Sequence, residues 1–296
     1  MGAGGSQEEL VKLTAHRYGK NRVRLLKVLR EGDVHTVKEL SAGVLLEGAF
    51  DRSFTDADNT AVVATDSMKN TLYVLAHEHL GAENEPFARC VARHFLERYA
   101  QVARVTVSLD ERVWTRLRCG VCDETPAGTP QPHSFLQADV ARPFTRLVAG
   151  ADGTTRHESG VRELTMLKST GSGFSGFLRD ELTTLPETED RILASAARAS
   201  WVWSGEPASY AAANRAIIDA MLVPFAQRFS PSVQATLFEM AGAALDACPE
   251  IASVTLAMPN LHCLPVDLTP FGRVNRRELF VPTDEPHGEI EATVSR

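Results

Sequence analysis

No stretch of this 296-residue chain approaches the ~20 consecutive apolar residues that a membrane-spanning helix needs. The chain is therefore expected to be soluble, with no membrane partner. It also lacks any block of Lys and Arg, and its formal net charge is −7. A nucleic-acid ligand is not expected, since phosphate recognition needs a basic surface. Cysteine is scarce: five residues, an odd number scattered over a long chain, make no disulfide framework. No secretory leader precedes them, so a reducing cytoplasm is the expected setting. The glycine-rich start, Met1-Gly2-Ala3-Gly4-Gly5-Ser6, reads as a disordered segment to about residue 12 rather than a lipid anchor. The closing Val294-Ser295-Arg296 is not a peroxisomal Ser-Lys-Leu address.

Motifs for the common cofactors are missing too. The chain has no Gly-x-Gly-x-x-Gly opening a βαβ unit, no phosphate-binding loop and no His-Glu-x-x-His. Nicotinamide, flavin, nucleotide and zincin chemistries thus lack their cradle or ligand pair; neither a cofactor nor a metal is expected. Cys119-Gly120-Val121-Cys122 has no partner pair and reads as two thiols at a hairpin. His77-Glu78-His79, at the end of a helix, reads as a solvated patch.

What is present is an α+β pattern in two similar halves. Alternation predicts strands over 21–30 and 35–47, joined at Glu31-Gly32-Asp33. Asp58-Asn59 is expected to cap a helix running through Lys69. A second helix is expected near Asn84, with Pro86 in its first turn and Phe87, Cys90, Val91, Phe95 and Tyr99 on one face. Strands are expected at 102–109, 112–118 and 133–148. The turn-rich Gly150-Ala151-Asp152-Gly153-Thr154 marks a boundary between domains 1–150 and 151–296. The order then repeats: strands at 158–170 and 190–203, helices at 209–228 and 231–248, strands at 251–258 and 276–282. Ser230 is expected as the second helix's N-cap, with Pro231 at its first position. A shift of 149 residues lays Val102–Val107 on Ile251–Leu256 without a gap, a trace of duplication. In that alignment Asn260 falls on Glu111 and His262 on Val113, so the polar chemistry belongs to the second copy.

Four features suggest a site for a flat anionic heterocycle. Phe174, in Gly173-Phe174-Ser175-Gly176, has small neighbours that let a ligand reach its ring; a core role is the alternative. Arg191 can grip two acceptors of a planar ligand through its rigid fork, or else pair with Glu187 or Asp190 on a strand surface. Gln234 lies in the first turn of a helix, where free N–H groups favour an anion; taken alone it reads as a surface glutamine. His262, after a strand, can relay a proton near neutrality or serve as a structural histidine.

The chain resembles the urate oxidase family along almost its whole length. The landmarks are Tyr18-Gly19-Lys20, Asp58-Asn59, Val62 through Thr71, Lys168-Ser169-Thr170, Gly176 through Glu181 with Thr183-Thr184-Leu185, Asp190-Arg191-Ile192-Leu193, Ser232 through Thr236, and Pro259-Asn260 with His262. Any one is weak, but their order and spacing are specific. The resemblance implies two tandem T-fold (tunnelling-fold) domains, each an antiparallel four-stranded sheet with two helices on one face. It implies a homotetramer with sites at subunit interfaces, and oxidation of urate by dioxygen and water to 5-hydroxyisourate and hydrogen peroxide in purine degradation. It further implies a catalytic set of Lys20, Thr65 and His262. Substrate contacts would come from Thr65, Asp66, Phe174, Leu185, Arg191, Val233, Gln234 and Asn260. Leu261 and Cys263 depart from a frequent family pattern of lysine and an aromatic. A pterin-forming T-fold lyase would need a zinc-binding histidine cluster that the sparse histidines do not offer.

Overall fold

The structure is a computed structural model that describes residues 11–118, 129–137 and 141–296. The expected disordered start lies mostly outside the described residues, as does Cys119-Gly120-Val121-Cys122. The chain opens with a long hairpin, β1 (Tyr18–Glu31) and β2 (Val34–Gly48), turned by Gly32-Asp33 with Gly32 at φ +62°. A two-residue turn of this kind needs positive φ, and glycine adopts it without a Cβ clash. A short helix, α1 (Asp51–Thr55), leads to α2 (Thr65–His79) and α3 (Asn84–Arg98). Strands β3 (Val102–Arg112), β4 (Trp114–Arg118), β5 (Pro130–Gln137) and β6 (Arg142–Gly150) complete the first half.

The second half repeats that plan. It comprises β7 (Thr155–Lys168), β8 (Leu193–Trp203), α4 (Tyr210–Gln227), α5 (Val233–Ala247), β9 (Ile251–Ala257), β10 (Asn260–Pro265), β11 (Phe280–Gly288) and β12 (Glu291–Ser295). In the first half the strands lie in the order β1-β2-β3-β6, and β4–β5 form a separate hairpin between β3 and β6. In the second half the order is β7-β8-β9-β12, with the β10–β11 hairpin inserted between β9 and β12. The strands equated by the 149-residue shift, β3 and β9, hold the same place in each half. Pairing of β6 with β7 joins the halves into one antiparallel sheet.

Each half has its own apolar core. In the first, Val44, Leu46, Val105 and Val107 meet Phe87, Val91 and Phe95 of α3 and Met68 and Leu72 of α2, all fully buried. In the second, the helical stripe Val233, Leu237, Met240, Ala241, Ala244 and Leu245 packs with Trp201, Val254 and Leu256. Three- and four-residue spacing gathers these side chains on one helix face, and period-two alternation gathers them on one sheet face. A polar seam joins the halves: the buried Glu85 carboxylate of α3 accepts from Ser159 Oγ at 2.7 Å and Asn214 Nδ2 at 2.9 Å. Glu83 caps α4 by accepting from Ser209 Oγ and Ala211 N, both at 2.8 Å.

Four local expectations are corrected. The helix expected from Asp58-Asn59 starts at Thr65, because the Asp58 carboxylate accepts from Thr60 N at 3.0 Å and makes a turn instead. Helix α5 is capped by Ser232, whose Oγ accepts from Ala235 N at 3.1 Å, and not by Ser230, which is buried and bridged to Ser172. The single strand expected over 133–148 is two strands, β5 and β6. Strands β10 and β12 were not anticipated, and His262 stands within β10 instead of in a loop after a strand.

Candidate active site

The segment 171–174 is fixed from both sides by backbone bonding. Ser230 N donates to Gly171 O and Gly173 N donates to Ser230 O, both at 2.9 Å, while Phe174 N donates to Thr188 O at 2.7 Å. Gly171 at φ +73° and Gly176 at φ +70° let the chain turn sharply on either side of Phe174. A Cβ on Gly173 would lie 2.9 Å from Thr188 O and 3.1 Å from the Phe229 ring, so only glycine fits there without displacement. The Phe177 ring stacks on Phe174 at 4.9 Å and 9°, covering one face.

A cavity of about 520 Å³ lies against this segment. Its walls include Phe174, Leu185, Arg191, Val233, Gln234, Asn260 and His262, seven of the ten candidate residues. Arg191 holds its backbone by donating from N to Ser172 O at 2.7 Å, and its guanidinium carbon stands 5.5 Å from the Phe174 ring centroid. Its Nε is closed off from solvent and makes no hydrogen bond. Neither carboxylate expected to pair with it does so. Glu187 accepts from Gly176 N at 3.2 Å, and Asp190 pairs with Arg277 at 2.9 Å. Burial lowers the pKa of Arg191, but a guanidinium stays charged at neutral pH. A half-buried cation without an acidic partner among the described residues is poised for an anion.

The N-terminus of α5 adds to this field. Ser232 satisfies Ala235 N, and Val233 and Gln234 at the head of the helix border the cavity. Asn260 and His262 enter from β10, which is held beside β8 through Asn260 opposite Ser195. Asn260 and His262 stand two positions apart on β10 and both border the cavity, and the β10–β11 register shifts between them. Leu261 and Cys263 also line the wall. Sequence reasoning missed Phe280, Ile290 and Arg277 on that wall. Phe280 opens a strand without clear alternation, Ile290 lies between β11 and β12, and Arg277 lies in a loop with no motif.

Lys20, Thr65 and Asp66 lie elsewhere. Lys20 sits on β1, the outer strand of the first half, opposite Val44. Thr65 and Asp66 open α2 on the exposed surface. Asp66 accepts from Lys69 and from Asn70 Nδ2 at 3.1 Å. Its carboxyl is held below the usual range by Lys69 first, with Lys20 contributing through its charge. The three residues form a second group in the first half, and none of them borders the cavity. Among the described residues no cluster of three or more His, Cys, Asp or Glu could hold a metal ion, and no helix is long and apolar enough to cross a membrane.

Two repeats of a four-stranded antiparallel sheet with paired helices define a tandem tunnelling-fold protein, whose cavity has an arginine and an aromatic ring on one wall. The family model for uricase matches residues 16–148 and 157–291, and the chain belongs to the uricase family. It is 37% identical to the uricase of Cyberlindnera jadinii, with 96% of this chain and 97% of the other covered. It is 34% identical to that of Danio rerio, covering 94% and 93%. The solved uricase from Arthrobacter globiformis superposes with a TM-score of 0.89 at 35% identity, covering 97% of this chain and 96% of that one.

Proposed function

We propose that the protein oxidises urate with dioxygen and water to 5-hydroxyisourate and hydrogen peroxide, without a bound cofactor. The observation that carries the reading is Arg191: a guanidinium beside an aromatic ring, with a buried Nε unpaired and no acidic partner among the described residues, on the wall of a cavity of about 520 Å³. Urate is planar, electron-rich and anionic, so the protein needs to hold it, remove protons and admit an oxidant. Arg191 and Gln234 clamp the purine edge. Phe174 supplies the aromatic ring for stacking, and the backbones of Val233 and Leu185 complete the contacts. Asn260 faces the oxidant or water, and His262 accepts or returns a proton.

Lys20 and Thr65 complete the relay, Lys20 lowering the proton affinity of Thr65, and Thr65 and Asp66 also reach the substrate. Since these three belong to the other half and do not border the cavity, a neighbouring subunit supplies them in a homotetramer with interfacial sites. In this reading residues 1–150 and 151–296 are the two domains. Two electrons pass from the urate dianion to dioxygen, which adds at ring carbon 5; water then displaces hydrogen peroxide and leaves the hydroxyl. The test follows urate absorbance and peroxide together. One peroxide per urate, persisting after treatment with a chelator, supports the reading, and loss of activity with the chelator would overturn the cofactor-free mechanism.

A further inference from the structure

The charged residues bordering the cavity are Arg191, Arg277 and Asp190, which leaves one positive charge in excess. Asp190 immediately precedes the clamp arginine, so its carboxylate weakens the field that an anionic substrate meets unless another cation offsets it. Arg277 is that cation. It donates from Nη1 to Asp190 Oδ2 at 2.9 Å and from Nη2 to the Asp190 carbonyl. The other carboxylate oxygen, Oδ1, is taken by Thr170 Oγ1 at 2.8 Å and Gly171 N at 3.3 Å. One oxygen therefore ties Asp190 to the segment that carries Phe174, and the other faces Arg277.

The loop presenting Arg277 is built to do so. Arg277 has φ +65°, a left-handed conformation that a long side chain adopts only where its surroundings hold it. Asn275 supplies the hold. Its Nδ2 donates to Val266 O at 2.9 Å and Leu279 O at 2.7 Å, and its Oδ1 accepts from Glu278 N at 3.1 Å and Leu279 N at 3.2 Å. The loop is closed at its neck, and Arg277 projects from it onto Asp190.

We propose that Arg277 is a positioning and charge-balancing residue for the substrate: it offsets the Asp190 carboxylate, so that Arg191 presents an uncompensated positive charge to urate. The inference rests on Arg191 being the urate clamp. It makes Arg277 a determinant of affinity for the anion without touching it.

The two oxygens of Asp190 make a discriminating experiment possible. Asp190→Asn keeps Oδ1 for Thr170 and Gly171, removes the charge and puts an N–H donor where Oδ2 accepted from Arg277, so it is combined with Arg277→Ala. Urate affinity is measured by tryptophan fluorescence titration in oxygen-free buffer, where urate is not turned over, and thermal unfolding of each variant is followed alongside. Arg277→Ala is expected to weaken binding roughly five- to tenfold. Arg277→Gln, which keeps a hydrogen bond but not the charge, should weaken it similarly, and Arg277→Lys should retain affinity within about twofold. The double variant Arg277→Ala with Asp190→Asn should recover most of the loss, because the excess positive charge is restored. A double variant as weak as or weaker than Arg277→Ala would make Arg277 a mechanical strap and overturn the proposal. Arg277→Ala and Arg277→Gln with parental affinity, beside a large loss in Arg191→Ala, would sink the inference while leaving the clamp intact. Parental affinity in Arg191→Ala would instead remove the clamp reading itself.

Discussion

The guanidinium carbon of Arg191 stands 5.5 Å from the centroid of the Phe174 ring, the two side chains meeting on one cavity wall. The arginine's buried Nε is unpaired, so the arginine has binding capacity that the folded chain leaves unused. Arg191→Ala should cost about 1.5–3 kcal/mol of urate affinity, or roughly ten- to a hundredfold. Arg191→Lys should recover only part of that, since an ammonium cannot make the two-pronged contact. Anaerobic urate titration of both variants measures this, and unchanged affinity in Arg191→Ala would remove the clamp.

Placement of Lys20 and Thr65 away from the cavity gives a prediction about assembly. Lys20→Met or Thr65→Val should lower turnover by about 10²–10⁴ with a smaller effect on urate affinity. Mixing Lys20→Met subunits with Arg191→Ala subunits, by co-refolding, should restore part of the activity that each lacks alone. Two defects on different chains leave some interfacial sites intact. No recovery in mixed oligomers would place the whole site within one chain and refute the shared-site arrangement.

His157 gives a pH dependence of stability. The imidazole is buried on β7 near Tyr210, and Glu85, Arg89 and Glu206 act on it through their charges; burial is the largest influence and pulls its pKa from 6.5 to about 4. The unfolded chain takes up a proton on this residue below about pH 6.5, whereas the folded chain resists it until about pH 4. Stability is therefore lost as pH falls through that window and levels off below it. The contribution of this one residue is about 3 kcal/mol at most. Urea unfolding at about pH 5 and about pH 7.5 should show a smaller pH difference for His157→Gln than for the parent. An equal difference in both would show that the acid sensitivity lies elsewhere.

Ser232 links helix stability to the site. Its Oγ accepts from Ala235 N at 3.1 Å, next to the helix head where Val233 and Gln234 border the cavity. Ser232→Ala should cost about 1 kcal/mol of stability and weaken urate binding modestly, while Ser232→Asp should retain the cap. Ser230→Ala removes a buried hydroxyl that does not cap α5, so it separates the two serines. If it raised the α5 fraying seen by hydrogen exchange as much as Ser232→Ala does, the cap assignment would be wrong.

The long amphipathic elements were legible in the sequence because burial of one face imposes a period. The α3 face of Phe87, Val91 and Phe95 and the α5 stripe from Val233 to Leu245 are buried as their spacing implies. Helix starts were less legible because serines and aspartates serve more than one backbone arrangement. Asp58 closes a turn on Thr60, and Ser230 is spent on the bridge to Ser172. Strands β10 and β12 escaped notice since their residues are half-buried or exposed on both faces, which erases alternation. Of the ten candidate site residues, the seven that meet at the cavity come from segments spread over residues 174–262, a proximity set by backbone pairings that no local pattern records. The role proposed for Arg277 depends on a contact between residues 87 positions apart.

The pairing of β6 with β7 turns the whole chain into a ruler. Between β1, which carries Lys20, and β8, which borders the Asn260 strand, lie five hydrogen-bonded steps through β2, β3, β6 and β7. At ~4.8 Å a step that is about 24 Å measured along the sheet. Loops can lengthen or shrink without altering this pitch. Only a gained or lost strand would change it, so the span between the two groups of residues is counted in whole strands.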